Sequence, residues 1–217
     1  ERVSFNNLSF FYFFIMDLPT EEQCLQYFEE FKVPRNIKAH CLKVRDVAVF
    51  LARKLNQTGE NVNLDFVSRL SLLHDLFKVV TITSIEPNKF HQHIFSEEEL
   101  QMRKELVEKY PGMHEGEVSH IIFKKDYPQL AIALKDMSDP EKEDKSWEEQ
   151  IVHYADGRVF QNRIVTLPER FSYLVEAYPD KIALFEKNGI ELHDFENKVK
   201  EIINLQPEQL ANMVGNG

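Results

Sequence analysis

The chain has 217 residues, of which 43% are hydrophobic and 29% charged, and a formal charge of −10. That is one ordinary domain, or one with small additions, long enough to bury a core, and its acidity excludes the basic footprint that duplex nucleic acid requires. A small anionic substrate held by a local metal and a few cations remains compatible with it. Only seven glycines and nine prolines occur, which argues against long disordered linkers, and no Rossmann or P-loop fingerprint is present.

Taken in chain order, residues 8–15 (Leu-Ser-Phe-Phe-Tyr-Phe-Phe-Ile) form an apolar run too short to span a bilayer. The run lacks a strong basic flank and an Ala-x-Ala cleavage site, so neither a signal peptide nor a membrane partner is expected. Met16, followed by Asp-Leu-Pro-Thr-Glu-Glu, reads as a natural start. Residues 1–15 are therefore expected to be an extension, upstream or non-native; the rival is an aromatic segment packing on a partner. Residues 16–217 are expected to form a single helical domain.

Thr20 is an N-cap candidate with Glu21 and Glu22 in the first turn, and Leu25, Phe28 and Phe31 give that helix an apolar stripe. Pro34 restarts the chain. Ile37, Cys41, Val44, Val47, Ala48, Leu51 and Leu55 then recur at spacings of three and four, with His40 at the edge of their face. Cys24 and Cys41 make no disulfide framework and point to a reducing compartment, the cytoplasm. Gly59 to Asn63 is a turn, and Leu64 to Phe77 is a nearly all-apolar central helix. Residues 81–95 read as a loop and Glu97 to Tyr110 as a charged, exposed helix broken by Pro111-Gly112. Two short helices follow, Glu115 to Phe123 and Gln129 to Met137, and then an acidic loop from Ser138 to Lys145. Trp147 to Val159 is a buried helix, Pro168 precedes a helix through Leu174, and Ile190 to Ile203 is the last. The fold class is all-α; no strand is predicted.

The pair His74-Asp75 closes the most apolar of these helices, with Lys78 within a turn of it. Polar side chains there are costly unless something binds them. His40 and Asp156 also lie on strongly apolar helices, so four N and O donors come from separate core elements. A hydrolytic metal site needs such donors, with positions left open for water and substrate. Mixed imidazole and carboxylate ligation suits Mn, Fe, Co, Ni, Zn or Mg. A lone core histidine is more often a packed residue, and a lone aspartate more often a cap; the adjacent pair and its matches on other helices favour the metal.

The order His40, His74-Asp75, Asp156 resembles the HD-domain phosphohydrolase superfamily. His40-Cys-Leu-Lys-Val resembles its first histidine helix, and Leu72-Leu73-His74-Asp75-Leu76-Phe77-Lys78 its leucine-rich His-Asp motif with the trailing lysine. Ile151-Val-His-Tyr-Ala-Asp156-Gly-Arg-Val resembles the final ligand helix, and Leu167-Pro-Glu-Arg170-Phe the arginine segment after it. The resemblance spans residues 20 to 178. It implies an all-α bundle around a central divalent metal, held by His40, His74, Asp75 and Asp156. It also implies that Asp75 touches both metal and attacking water, and that Lys78, on the same helix face, stabilises phosphoryl charge. The bland alternative for Lys78 is a solvated surface lysine.

Relatives with a second metal carry two further histidines. Met113-His114-Glu115-Gly116 resembles the first, and near the second position only Asp136 stands as a possible carboxylate ligand. One metal is preferred, with His114 supporting a ligand or touching substrate. His120 is not expected to share its role, His91 and His93 read as solvated or as lining the pocket mouth, and His153 as packed or orienting a carboxylate ligand. Arg158, Arg163 and Arg170 are each either a phosphate clamp or a plain ion pair.

The expected function is hydrolysis of a phosphate ester or anhydride of a small phosphorylated substrate, in this family most commonly a nucleotide. The alternatives are a metal-containing regulatory domain without turnover and a metal-free helical interaction protein. Lys78 argues against the regulatory domain, because a structural metal does not need that cation.

Overall fold

Several helices start where the sequence provides a cap. Thr20 and Gln23 cap one another ahead of α1 (Glu21–Glu30), and the Asn63 side chain accepts from the Phe66 amide ahead of α3 (Leu64–Leu73). Such caps contribute about 1 kcal/mol each. Between them runs α2 (Arg35–Gln57), whose seven stripe residues are all buried. α3 is the central helix, packed against α1, α2, α6 (Pro128–Met137) and α7 (Trp147–Gly157). Leu70, Leu72 and Leu73 are essentially inaccessible, so truncating one to alanine is expected to cost about 2–5 kcal/mol.

This is a computed structural model, and it describes residues 17–215 apart from 138, 140, 141 and 143. The expectations for the 1–15 extension and for a start at Met16 fall outside the described residues. Within them the class is all-α, with one two-stranded hairpin. α4 (Glu97–Lys109) is an outer helix that buries only Leu106, while α5 (Glu115–Phe123) packs on α6. α8 (Leu167–Ala177) packs on α9 (Ile182–Ile203), and α10 (Leu210–Val214) rests on α2. No described helix is long and apolar enough to cross a membrane.

Several boundaries differ from the sequence reading. The central helix stops at Leu73 and not at Phe77, because the chain tightens. Leu76, Lys78 and Val80 donate to the carbonyls three residues back, ending in a 3-10 turn over Lys78–Val80. The His74 ring takes the Ser71 carbonyl that a regular helix would give to Asp75. The helix expected to reach Val159 ends at Gly157, where a Cβ would lie 2.5 Å from the Leu192 side chain of α9. β1 (Val159–Phe160) and β2 (Arg163–Ile164) follow as an antiparallel hairpin, which the sequence reading missed. α9 begins eight residues earlier than the expected Ile190, and α10 was not anticipated.

Candidate metal centre

The site is assembled from α2, the end of α3, the end of α7 and the hairpin turn. α2 carries His40, the α3 terminus carries His74 and Asp75, and the last turn of α7 carries Asp156. The two imidazole rings stand 5.5 Å apart and tilted by 55°. His40 Nδ1 donates to the Gln161 carbonyl at 3.0 Å, and His74 Nδ1 donates to the Ser71 carbonyl at 2.7 Å. A carbonyl only accepts, so a neutral His74 carries its proton on Nδ1 and presents a lone pair at Nε2, whereas His40 faces acceptors at both nitrogens, the Gln161 carbonyl and Asp156 Oδ1. Metal-binding histidines are oriented in this way.

Both Nε2 atoms turn toward one point. That of His40 lies 2.9 Å from Asp156 Oδ1 and 4.0 Å from Asp75 Oδ2. That of His74 lies 3.8 Å from Asp75 Oδ2 and 3.9 Å from Asp156 Oδ1, is buried, and has no hydrogen-bond partner. Leaving such a nitrogen unpaired costs about 1–3 kcal/mol. His40, His74 and Asp75 each offer a donor atom, mutually within 4.8 Å, and could hold a metal ion. The histidines are buried, whereas the Asp156 and Lys78 side chains are 34% and 40% exposed, so the group opens to solvent on their side.

The electrostatics fit a cation at the centre. Burial pushes the His74 imidazole down, but Asp75, Cys41 and Asp156 push it further up, to about 9. Burial likewise opposes ionisation of Asp75, yet Lys78 and His74 hold it below the usual carboxylate range. Asp156 is held well below that range against burial, by its hydrogen bond with His40 and the charges of His40, His74 and Arg170. Two ionised carboxylates beside two histidines are what a divalent ion would neutralise.

Asp75 divides its oxygens. Oδ2 faces the histidines, and Oδ1 lies 3.4 Å from Lys78 Nζ. The expected Lys78–Asp75 proximity is therefore present, formed across a turn that has left the α-helix. Lys78 also meets Glu115 Oε1 at 2.7 Å, so it is not the solvated surface lysine.

The remaining sequence candidates separate. His114, the N-cap of α5, is exposed and reaches Glu115 Oε2 at 3.2 Å; it touches none of the four donors among the described residues. Asp136 pairs with Lys142 at 3.0 Å and brings no carboxylate to the group among the described residues. The clamp reading of Arg158 is corrected: it is 1% exposed, and its guanidinium is consumed by Val165 O, Tyr154 Oη, Glu196 and Pro207 O. Arg163 is exposed on β2. Arg170 lies over the Phe160 and Tyr173 rings at 5.9 and 5.4 Å, is close enough to depress Asp156, and has a buried Nε without a partner. His153 faces α9 and meets Glu191 at 3.4 Å, so it does not orient a metal-group carboxylate. His120 faces the Ala131 carbonyl across the α5–α6 pair, and His93 meets Glu99 at 3.0 Å. His91 lies 3.2 Å from both the Tyr173 and Tyr178 hydroxyls, and Tyr173 also borders Arg170.

Two supporting groups were not anticipated. Glu115 was read only as the start of a helix, although an acid next to His114 and a lysine after His-Asp were both visible. Gln161 contributes a backbone carbonyl, which every residue has, from a left-handed conformation with φ of 57°; nothing in its side chain signals the role. Comparison of the chain with models of known protein families, with curated proteins and with solved structures finds no match.

Proposed function

We propose that the protein is a metal-dependent phosphohydrolase of the HD-domain type, acting on a small phosphorylated substrate of the nucleotide class. The observation that carries this reading is the buried, unpartnered Nε2 of His74, aimed with Nε2 of His40 at Asp75. His40, His74 and Asp75 would hold one divalent ion, and Asp156 would complete the set from α7. The ion, when bound, supplies Lewis acidity for phosphoryl transfer to water.

The chain's own residues do the rest. The two histidine rings are oriented at Nδ1 by backbone carbonyls, which turns both Nε2 atoms inward. Asp75 orients the attacking water with the carboxylate that also faces the metal. Lys78, beside Asp75 Oδ1 and 40% exposed, donates to a phosphoryl oxygen as negative charge builds on it. Arg170, with no ion pair among the described residues, supplies a second cation to the phosphate from α8. Phe160 and Tyr173, with ring centroids 4.4 Å apart beside it, offer an aromatic wall for a base. One metal suffices, because neither His114 nor Asp136 converges on the group. That set of roles distinguishes the enzyme reading from a metal-bearing scaffold, which has no need of Lys78 or Arg170.

The test is elemental mass spectrometry on untagged protein, followed by a nucleotide hydrolysis screen with added Mn, Co, Ni or Mg. Near-stoichiometric metal that is lost in His74→Ala, with hydrolysis lost alongside it, is the expected result. Bound metal without turnover of any phosphate ester or anhydride overturns the enzyme reading in favour of a scaffold. No bound metal even after divalent ions are added removes both.

A further inference from the structure

We infer that Glu115 is a positioning residue for the reaction: it holds the Lys78 ammonium between two carboxylates, so that one N–H is left to aim at the phosphoryl group. This rests on the phosphohydrolase reading. A lysine ammonium sits at the end of a flexible four-carbon stem, and unless it is held it spends most of its time away from any one atom. Here it is held from two sides. Glu115 Oε1, on α5, lies 2.7 Å from Nζ, and Asp75 Oδ1, after α3, lies 3.4 Å from it. An ammonium has three donors; one hydrogen-bonds Glu115 Oε1, Asp75 Oδ1 is within ion-pair distance, and the side chain is 40% exposed, which leaves donor capacity for a ligand.

Glu115 is itself fixed. Its side chain is only 4% exposed, and its second oxygen accepts from the Thr81 hydroxyl at 2.8 Å and faces His114 Nε2 at 3.2 Å. It occupies the first position of α5, where the unpaired amides of a helix start favour a carboxylate. Thr81 closes the 3-10 turn that carries Lys78, through its amide on the Lys78 carbonyl at 3.1 Å. Backbone and ammonium of the one lysine are thus referred to the same buried acid. A pair that only tied α5 to the turn would not need the second carboxylate, which shares its residue with the metal group. Because Glu115 offsets the charge of Lys78, what it provides is direction more than net positive potential. His114 becomes a neighbour of this acid and not a metal ligand.

The experiment is a double-mutant cycle on the metal-loaded full chain, read as kcat and KM for 4-nitrophenyl phosphate and bis(4-nitrophenyl) phosphate. Lys78→Met is expected to lower kcat about 100-fold. Glu115→Ala is expected to lower kcat by at least about tenfold with KM little changed, and the double variant to be no worse than Lys78→Met alone, as for residues acting as a unit. Glu115→Gln, which keeps the shape and one acceptor, guards against misfolding and should fall between wild type and Glu115→Ala. Metal stoichiometry should stay at the wild-type value in all of them. A lowered melting temperature with unchanged kcat, or effects that multiply in the double variant, overturns the positioning role while leaving the phosphohydrolase reading standing. Wild-type protein that hydrolyses neither these esters nor any nucleotide removes both, and that failure is seen before any variant is made.

Discussion

Asp156 and Arg158 stand two residues apart at the end of α7, and the clusters they belong to differ in what is left over. Around Arg158 every polar group is closed. The guanidinium meets Val165 O, Tyr154 Oη, Glu196 and Pro207 O, and the Tyr154 hydroxyl donates to Glu196 Oε2 at 2.6 Å. Around Asp156 the supporting bonds are made, on both Nδ1 atoms, and His40 Nε2 meets Asp156 Oδ1, but one inward-facing atom is left over. His74 Nε2 has no partner, and Asp75 and Asp156 oxygens crowd the same space. Burial and charge are common to both clusters. The difference lies in unmet coordination, and buried groups without partners are rare enough to require an explanation. The Arg158 cluster joins α7 to α9 and to the chain before α10, whereas the cluster beside Asp156 holds donor atoms of His40, His74 and Asp75 that could hold a metal ion.

Removing a member of each cluster tests this contrast most directly. Asp75→Ala should abolish hydrolysis, by at least about 10³-fold, and lower the bound metal, measured by kinetics and elemental analysis. Unchanged turnover would sink the site. Arg158→Met should act the opposite way. It removes the guanidinium from Glu196, which is 13% exposed and keeps the Tyr154 hydroxyl, so unfolding in denaturant should shift by about 3 kcal/mol, while the folded protein keeps its metal and its kcat. A selective loss of metal in that variant would erase the distinction between the clusters.

Smaller effects sharpen it. Arg170→Ala should raise KM about tenfold, equivalent to about 1.4 kcal/mol, with metal content unchanged; an unaltered KM assigns Arg170 to packing on Phe160 and Tyr173. The smallest effect concerns Glu191 on α9. His153, 3.4 Å away, lowers its carboxyl first, against burial, and Lys145 lowers it further, to about 2. A depressed carboxyl stabilises the fold above its ordinary value of 4.5, and that contribution is lost as pH falls from there toward 2. Melting temperatures between pH 5 and 2.5 should therefore fall less steeply in Glu191→Gln than in wild type. Because Glu191 is 39% exposed, the difference should be small. Identical slopes would remove it as a contributor.

Much of the architecture was legible because it is written in local periodicity. The stripe from Ile37 to Leu55, the apolar run after Asn63 and the cap at Thr20 each act over one or two turns of chain. The elements that were missed lack such a signal. Two-residue strands are too short for an alternation to register, and the early part of α9 leaves Ile182, Leu184 and Ile190 exposed, so no single apolar face stands out. The end of α3 was read too far because composition says nothing about a side chain capturing a backbone carbonyl, as His74 does with Ser71.

The sequence by itself determined the residue types and their order: an apolar all-α framework, a His-Asp pair with a trailing lysine, and further donors on other core helices. Only the tertiary structure decided that His40, His74 and Asp75 meet, that Arg158 closes a cluster of its own while Arg170 stays open, and that Lys78 is held by Glu115. Periodicity reports which side of a helix is apolar, but the meeting of side chains 37 or 116 residues apart depends on how helices cross and turns tighten. The backbone carbonyls that aim both histidines are common to all residues, so only the folded chain reveals which of them do so.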